Sequence, residues 1–143
     1  MKTFATILAS ILCFTMHSTF AQKKKESKPM DGKTFAVSLT EEAKAKPTKP
    51  MAEVLQFKSE KLEAELMNDK YGFKKGTYTA TIDSSNAEEP VITFDAEMKN
   101  DAGDQLIWHG TLTGEDIEGS AIWSKKGKTK KTYAFNGSMK KKK

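Results

Sequence analysis

Few side chains of this sequence could carry out covalent or acid–base chemistry. There is one cysteine, Cys13, and there are two histidines, His17 and His109. Cys13 and His17 lie in an N-terminal segment that we expect to be removed, so the mature chain would keep His109 alone. A nucleophilic Cys–His pair and a zinc site of several His or Cys ligands are therefore excluded. A Ser–His–Asp arrangement would have to use His109, but the strand register given below places it on the outer surface, opposite Asp95.

Carboxylates could form two further kinds of site. The run Asn100–Asp104 has oxygen ligands that suit calcium, but it lacks the long loop and closing glutamate of the common calcium motif and is typical of a hairpin turn. Glu115, Asp116 and Glu118 cluster at the next turn, where they face solvent. Glycoside hydrolysis needs two carboxylates opposed across a cleft, and no inward position of the predicted strands carries one. We therefore predict no catalytic residues, no metal site and no cofactor.

The first 21 residues have the features of an export signal. Met1–Lys2 gives a positive start, Phe4–Met16 is mostly apolar but too short to span a bilayer, and Thr19–Ala21 presents small residues before Gln22. We expect cleavage before Gln22 and an exported protein, periplasmic or secreted; the alternative is a membrane anchor. The predicted parts are a signal peptide at 1–21, a disordered basic lead at 22–30, a single barrel domain at 31–139 and a basic tail at 140–143.

Charge is unevenly distributed along the chain, and all 24 basic residues are lysine. Residues 51–118 hold six lysines against fifteen carboxylates, whereas residues 119–143 hold nine lysines and no carboxylate. The lysine-rich ends could contact anionic material of the cell envelope, or they could serve only solubility and the protection of sheet edges. Lysine lacks the forked geometry of arginine that suits phosphates and bases, so we expect no nucleic-acid partner.

Four consecutive segments in the second half alternate between apolar and polar residues, which is typical of β-strands with one buried face. Turn residues between them set the register: Gly103 in a left-handed position, Gly114 at the start of a two-residue turn, and Gly127 in a short loop of odd length. These strands are Val91–Lys99, Asp104–Thr113, Asp116–Ser124 and Lys131–Met139. Their inward residues are predicted to form four rows: Ile92–Leu112–Ile117–Met139, Phe94–Gly110–Gly119–Gly137, Ala96–Trp108–Ala121–Phe135 and Met98–Leu106–Trp123–Tyr133.

The first half of the chain predicts four more strands, at Lys33–Leu39, Val54–Lys58, Lys61–Met67 and Thr77–Asp83. Eight antiparallel strands that follow one another in chain order can close on themselves and so remove both sheet edges. We therefore predict an all-β fold, an eight-stranded antiparallel up-and-down barrel. The alternative is a β-sandwich, which usually needs crossing connections.

The last third of the sequence carries a recognisable spacing of tryptophan, glycine and aromatic residues. It reads Trp108-x-Gly110-Thr111-x-Thr113-Gly114, then Ile117-x-Gly119, Trp123 and Tyr133-x-Phe135-x-Gly137. This pattern resembles the closing strands of lipocalin-like (calycin-type) barrels in small exported bacterial proteins. The first strand departs from that family, since Gly32–Thr34 stands where lipocalins have Gly-x-Trp. The resemblance implies a lipocalin-like fold and a binding module rather than an enzyme.

Eight inward residues of the last four strands form the candidate ligand site: Phe94, Trp108, Gly110, Gly119, Trp123, Tyr133, Phe135 and Gly137. The three glycines are predicted to lie side by side, either because the barrel curves sharply there or because a ligand needs the space. We expect a non-enzymatic binding module for a small apolar or amphipathic ligand. The alternative is a structural or surface-interaction protein with a filled core, whose lysine-rich ends contact anionic envelope material. A cavity at the glycines would favour the first hypothesis, and a filled interior the second.

Overall fold

The computed structural model describes residues 29–43, 45–46, 48–85 and 88–141. The predicted signal peptide at 1–21 and residues 22–28 of the predicted lead lie outside the described residues. The described elements are β1 Thr34–Glu41, β2 Met51–Lys58, β3 Lys61–Ala64, α1 Glu65–Tyr71, β4 Gly76–Asp83, β5 Val91–Lys99, β6 Gln105–Thr113, β7 Asp116–Lys125 and β8 Lys128–Met139.

The eight strands close into one antiparallel barrel in chain order. Closure joins β8 to β1, where Phe35 lies opposite Met139 and Glu41 lies opposite Tyr133. The prediction of an eight-stranded up-and-down barrel is confirmed, and the chain does not form the alternative sandwich. Because Phe35–Glu41 of β1 pairs with Tyr133–Met139 of β8, these two segments present no open edge.

The predicted register is confirmed across β5, β6 and β7. Each of the four predicted inward rows is found over these three strands, for example at Phe94, Gly110 and Gly119. Local turn geometry explains this success, since Gly103 and Gly114 have φ values of 80° and 62°. Such left-handed positions strongly favour glycine, so the sequence marks where each strand must reverse.

The predicted register between β7 and β8 is wrong by two residues. Every predicted row is therefore wrong where it passes from β7 to β8, although the same side chains still point inward. The observed inward pairs are Ile117–Gly137, Gly119–Phe135, Ala121–Tyr133 and Trp123–Lys131.

The turn between β7 and β8 causes this shift. Lys126 and Gly127 both have positive φ, 51° and 75°, which makes a tight two-residue turn and starts β8 at Lys128. Ser124 then lies opposite Thr129, whereas Trp123 lies opposite Lys131. Lys130 is therefore a bulged residue, which has no partner on β7. Because of this extra residue, the residues predicted to point inward on the rest of β8 do so, although the register is shifted by two.

The third predicted strand ends earlier than expected. Pairing with β2 stops at Ala64, and the helix α1 occupies residues that were assigned to the strand and the following loop. Met67 is fully buried by this helix. Gly72 ends the helix with φ 72°, and its N–H donates to the carbonyl of Asn68 (2.8 Å). A stretch of seven residues is too short for its periodicity to separate helix from strand.

The antiparallel order places connections alternately at two ends of the barrel. The helix end carries α1 and the β1–β2, β5–β6 and β7–β8 connections, and the terminal end carries the other turns with the start of β1 and the end of β8. Met30 is fully buried at the terminal end, although the sequence placed it in the disordered lead. The Asp31 carboxylate accepts hydrogen bonds there from the Tyr78 hydroxyl (2.6 Å) and the Glu60 N–H (3.1 Å).

Candidate functional site

All eight candidate residues lie on β5 to β8 and take the inward positions of these strands. The aromatic members are buried: Phe94, Trp108 and Tyr133 completely, and Phe135 and Trp123 to more than nine-tenths. Gly110 is buried too, whereas Gly119 and Gly137 are half-buried. The predicted inward orientation of the eight residues is therefore found.

Aromatic rings occupy the middle of the barrel. The ring centroid of Phe94 lies 5.1 Å from that of Phe57 and 6.4 Å from that of Phe135, and Trp108 lies 5.4 Å from Phe135. Ring separations of about 4.5–7 Å are typical of packed aromatic pairs in protein cores. The walls of the candidate site are therefore in contact with one another.

The space in front of Gly110 is filled by two of these rings. A methyl group on its Cα would lie 2.8 Å from a ring atom of Phe94 and 2.8 Å from a ring atom of Phe135. Carbon atoms pack at about 3.5–4.0 Å, so even one methyl group has no room here. The missing side chain of Gly110 makes room for the protein's own rings.

Gly119 and Gly137 serve the close approach of neighbouring backbones. A methyl group on Gly119 would overlap the carbonyl oxygen of His109, and one on Gly137 would overlap the carbonyl oxygen of Ala36. Gly137 lies opposite Ile117 because of the β7–β8 register, so it does not extend the pair of Gly110 and Gly119. The predicted row of three glycines is thus a row of two, and these contacts agree with the curvature explanation.

Trp123 belongs to a separate cluster at the helix end. Its indole Nε1–H donates to Asp104 Oδ2 (2.9 Å), and its ring packs against Tyr71 (4.7 Å) and Phe73 (5.1 Å). Tyr133 does not lie opposite Trp123, as predicted, but opposite Ala121. The eight candidates therefore do not surround one space: the rings near Gly110 and the cluster at Trp123 occupy different levels of the barrel.

Two buried polar atoms of the candidate site have no protein partner among the described residues. They are the Trp108 Nε1 and the Tyr133 hydroxyl, which flank the small residue Ala121 on adjacent strands. Burial raises the pKa of Tyr133, and Tyr71 and Glu41 add to the rise, so its hydroxyl stays protonated at neutral pH. Both groups can therefore donate a hydrogen bond within an otherwise apolar surrounding.

Two inward carboxylates were not predicted from the sequence: Glu53 and Asp104, which are 2% and 4% exposed. Glu53 Oε1 accepts from the N–H groups of Val54 and Leu66, both at 2.8 Å, and Oε2 accepts from Met67 (3.1 Å). Burial raises the pKa of Glu53 more than these bonds lower it. Glu53 is in phase with Leu55 on β2, so extending the alternation towards the start of this strand would have found it.

The predicted pair of His109 and Asp95 is found on the outer surface. The two residues lie directly opposite each other, His109 Nδ1 is 2.6 Å from Asp95 Oδ1, and both side chains are more than half exposed. The Asn100–Asp104 run forms the predicted turn, in which the Asp104 N–H donates to Asn100 Oδ1 (2.9 Å). Among the described residues, no three His, Cys, Asp or Glu side chains are grouped so that they could hold a metal ion.

A basic hairpin, residues 125–131, stands at the helix end. The last β6–β7 pair is Gln105–Ser124, and the last backbone bond to the β1 side joins the Glu42 N–H to Thr132 (2.7 Å). Within the part of the chain that the structure describes, the hairpin backbone pairs only with itself. At about 3.3 Å per residue, its tip projects roughly 7–10 Å beyond the neighbouring strands.

The lysines of the basic hairpin are only partly neutralised. Lys131 Nζ lies 3.2 Å from Glu41 Oε2, and Lys130 Nζ lies 5.6 Å from the centroid of the Trp123 ring. Lys125, Lys126 and Lys128 are exposed and form no ion pair with any described residue. By contrast, three other lysines of the helix end are paired with carboxylates: Lys74 with Asp101, Lys75 with Glu63, and Lys99 with Glu97.

The chain has no match to a known protein by any of three comparisons: with protein-family models, with curated proteins and with solved structures. In the described ranges, no helix has the length and apolar character that a membrane crossing requires.

Proposed function

We propose that this barrel is a non-enzymatic surface-interaction protein that contacts anionic envelope material through its basic hairpin. The observation that carries the proposal is the projecting cluster of Lys125, Lys126 and Lys128, whose charges no described carboxylate compensates. Unpaired lysines held together on one hairpin create a positive potential that attracts anions and raises their rate of encounter.

The packing of the interior supports this proposal over a carrier of apolar ligands. The rings of Phe94 and Phe135 lie against Gly110, and Phe57 and Trp108 close the same region. An eight-stranded barrel is just wide enough either for its own side chains or for one small ligand. Here the side chains take the space that a ligand would need.

Retention on immobilised dextran sulfate tests the proposed function. The salt concentration that elutes the protein should fall clearly for the triple variant Lys125→Gln, Lys126→Gln, Lys128→Gln, because each lysine lost removes one contact with the polyanion. A matched variant removes three lysines at the terminal end, Lys58→Gln, Lys61→Gln and Lys140→Gln, and should elute near the wild type. Equal shifts for both variants, or no retention of the wild type, would contradict the proposal.

A small-ligand carrier is the second candidate function. The buried donors of Trp108 and Tyr133 support it, since polar groups without protein partners inside a barrel are costly and a ligand acceptor would satisfy them. Native mass spectrometry of the protein purified from its own host tests this function, because a bound small molecule would appear as a discrete mass increment.

A further inference from the structure

One part of the barrel wall has an open strand edge, in the second half of β4. Strand β3 begins at Lys61, and its pairing with β4 ends where the Tyr78 N–H donates to the carbonyl of Glu60 (3.1 Å). Strand β4 runs on to Asp83, and over this length it pairs with β5 alone. Residues 79–83 therefore form an open edge, the β4 edge, at the terminal end of the barrel.

The free backbone groups of the β4 edge belong to Ala80 and Ile82. Successive residues of an antiparallel strand direct their N–H and C=O groups alternately to the two neighbouring strands, and Tyr78 directs its N–H to the β3 side. Ala80 and Ile82 are in phase with Tyr78, and neither has a backbone partner on that side among the described residues. Their N–H and C=O groups are therefore available to an added strand.

The β4 edge lacks the residues that usually keep an open edge from pairing. Native proteins block such edges with lysine, proline or a bulge. This chain has 24 lysines, yet none lies in residues 76–98, and the β4–β5 register is regular. Thr79, Thr81 and Ile82 instead have high β-propensity. An edge of this composition suits a strand partner.

The described chain begins beside the β4 edge. Met30 is fully buried at the terminal end, and the Asp31 carboxylate accepts from both the Tyr78 hydroxyl and the Glu60 N–H. These two residues mark the point where the β3–β4 pairing ends. Residues 22–28, the lead segment, precede this anchored corner and span about 23 Å when extended at 3.3 Å per residue. The β4 edge is about 13 Å long on the same measure, so the lead segment can cover it.

Charge complementarity favours the lead segment as the partner of this edge. The segment holds four lysines and one glutamate. Three exposed carboxylates lie at the end of β4 and in the connection that follows: Asp83, Glu88 and Glu89. Across the gap, Lys58 and Lys61 flank Glu60 at the β2–β3 turn, so the negative charge is concentrated on the β4 side. A basic strand is therefore attracted to β4.

We propose that the lead segment, residues 22–28, adds a strand to the β4 edge and so closes the open part of the barrel wall. The inference goes beyond the proposed function, which concerns the basic hairpin at the opposite end. A residue before proline favours extended backbone, so Lys28, which precedes Pro29, suits the end of such a strand. The added strand supplies partners to Ala80 and Ile82, and it removes the edge through which two copies of the protein would pair.

Amide hydrogen exchange, followed by NMR, tests the inference on the protein as its host processes it. The amides of Ala80 and Ile82 should be protected in the wild type. They should exchange about tenfold faster in the variant Lys23→Glu, Lys24→Glu, Lys25→Glu, because the reversed charge repels the lead segment from the edge and removes its hydrogen bonds.

Internal and matched controls accompany this measurement. The amides of Thr79 and Thr81 point to β5, so they should keep their exchange rates and verify that the barrel is intact. The variant Lys140→Glu, Lys141→Glu, Lys142→Glu reverses three lysines at the other end of the chain, and it should leave the β4 edge protected.

The exchange rates distinguish the possible occupants of the edge. Unprotected amides at Ala80 and Ile82 in the wild type would overturn the inference. Protection that survives the lead substitutions would overturn it as well, and a dependence of that protection on protein concentration would identify a second copy as the occupant. Each of these outcomes leaves the proposed function of the basic hairpin standing.

The substitution Ala80→Pro tests the pairing from the side of the lead segment. Proline removes the N–H that faces the open edge and none that bonds to β5, so the strand should persist, which the unfolding midpoint verifies. Cleavage after Lys25 by a lysine-specific protease should become about tenfold faster, whereas cleavage after Lys141 should keep its rate. Equal cleavage of the lead segment in the wild type and in the folded variant would overturn the inference. If the variant does not fold, the exchange measurements decide.

Discussion

At the scale of single residues, the buried carboxylates show how much this barrel depends on polar groups that bind its own backbone. Glu53 accepts three backbone N–H groups, two of them from the first turn of α1, and so connects β2 to the helix. Asp104 holds the indole of Trp123 at the same end. Each carboxylate thus helps to fix the position of an aromatic or helical element at the helix end.

We predict that Glu53→Gln destabilises the protein by about 1–3 kcal/mol near pH 7, since the amide loses one acceptor oxygen and faces a backbone donor. The pKa of Glu53 is raised above its ordinary value of 4.5 in the folded chain. Between these two pKa values the carboxyl is protonated in the folded protein and ionised in the unfolded chain. This carboxyl therefore makes the free energy of unfolding fall as pH rises from about 4.5 through the folded pKa.

Urea unfolding at about pH 4 and about pH 7 measures both effects. The advantage of the wild type over Glu53→Gln should be larger at the lower pH. Glu115→Gln, at an exposed turn, is the control and should follow the wild type at both values. A wild-type advantage that grows with pH would mean that the folded chain lowers the pKa of Glu53.

Gly119 gives a second prediction at this scale. Gly119→Val should lower the free energy of unfolding by about 1–3 kcal/mol, because the new side chain would overlap the carbonyl oxygen of His109. Ser120→Val, at the adjacent outward position, should stay within about 0.5 kcal/mol of the wild type. A stable Gly119→Val variant that loses affinity for an apolar probe would instead identify the glycine as a pocket floor.

At the scale of elements, the β7–β8 hairpin decides how the barrel closes. Its two-residue turn and the bulge at Lys130 set which residues of β8 face β7, and β8 in turn sets the register of β1. The same turn connects the strand ends that carry the exposed lysines. The element that closes the fold is thus also the element that carries the proposed surface.

Disulfide trapping distinguishes the observed β7–β8 register from the one predicted by sequence. In a Cys13→Ser background, cysteines at Glu118 and Asn136 should crosslink on oxidation, whereas cysteines at Glu118 and Ser138 should not, because only the first pair lies directly opposite. Cysteines at Thr93 and Thr111, opposite each other on β5 and β6, serve as the positive control. Efficient crosslinking of the Ser138 pair would restore the predicted register.

At the scale of the whole molecule, the barrel has an interior occupied by its own rings and a helix end that carries the projecting lysines of the basic hairpin. Phe94 is central to the interior: its ring packs against Phe57 and Phe135 and fills the space where a side chain of Gly110 would lie. The charges lie outside this packing, on the hairpin beyond the neighbouring strands. Binding at the hairpin therefore requires no opening of the core.

We predict that benzene stabilises Phe94→Ala but not the wild type. The substitution should cost about 3–5 kcal/mol and leave an apolar cavity, and benzene-sized ligands bind such cavities. Thermal unfolding with and without benzene measures the difference, and Gly119→Val serves as a destabilised control without a cavity. A benzene-dependent rise in the wild-type midpoint would show that the interior already has room, which would favour the carrier function.

The sequence by itself determined the fold class and the register from β5 to β7. Alternating residues mark the faces of the strands, and Gly103 and Gly114 mark reversals that depend only on local backbone sterics. The outward pair of Asp95 and His109 followed from the same local rules. These features were predictable because each depends on neighbours in the chain.

Only the tertiary structure decided the β7–β8 register, the helix α1 and the content of the interior. A shift of two residues keeps every face of β8 in place, so the alternation that identified the strand cannot detect it. The first turn of helix α1 donates its N–H groups to the carboxylate of Glu53, which lies on strand β2. The space at Gly110 is filled by Phe135 from a strand two positions away, and this contact requires the β7–β8 register that places Phe135 opposite Gly119.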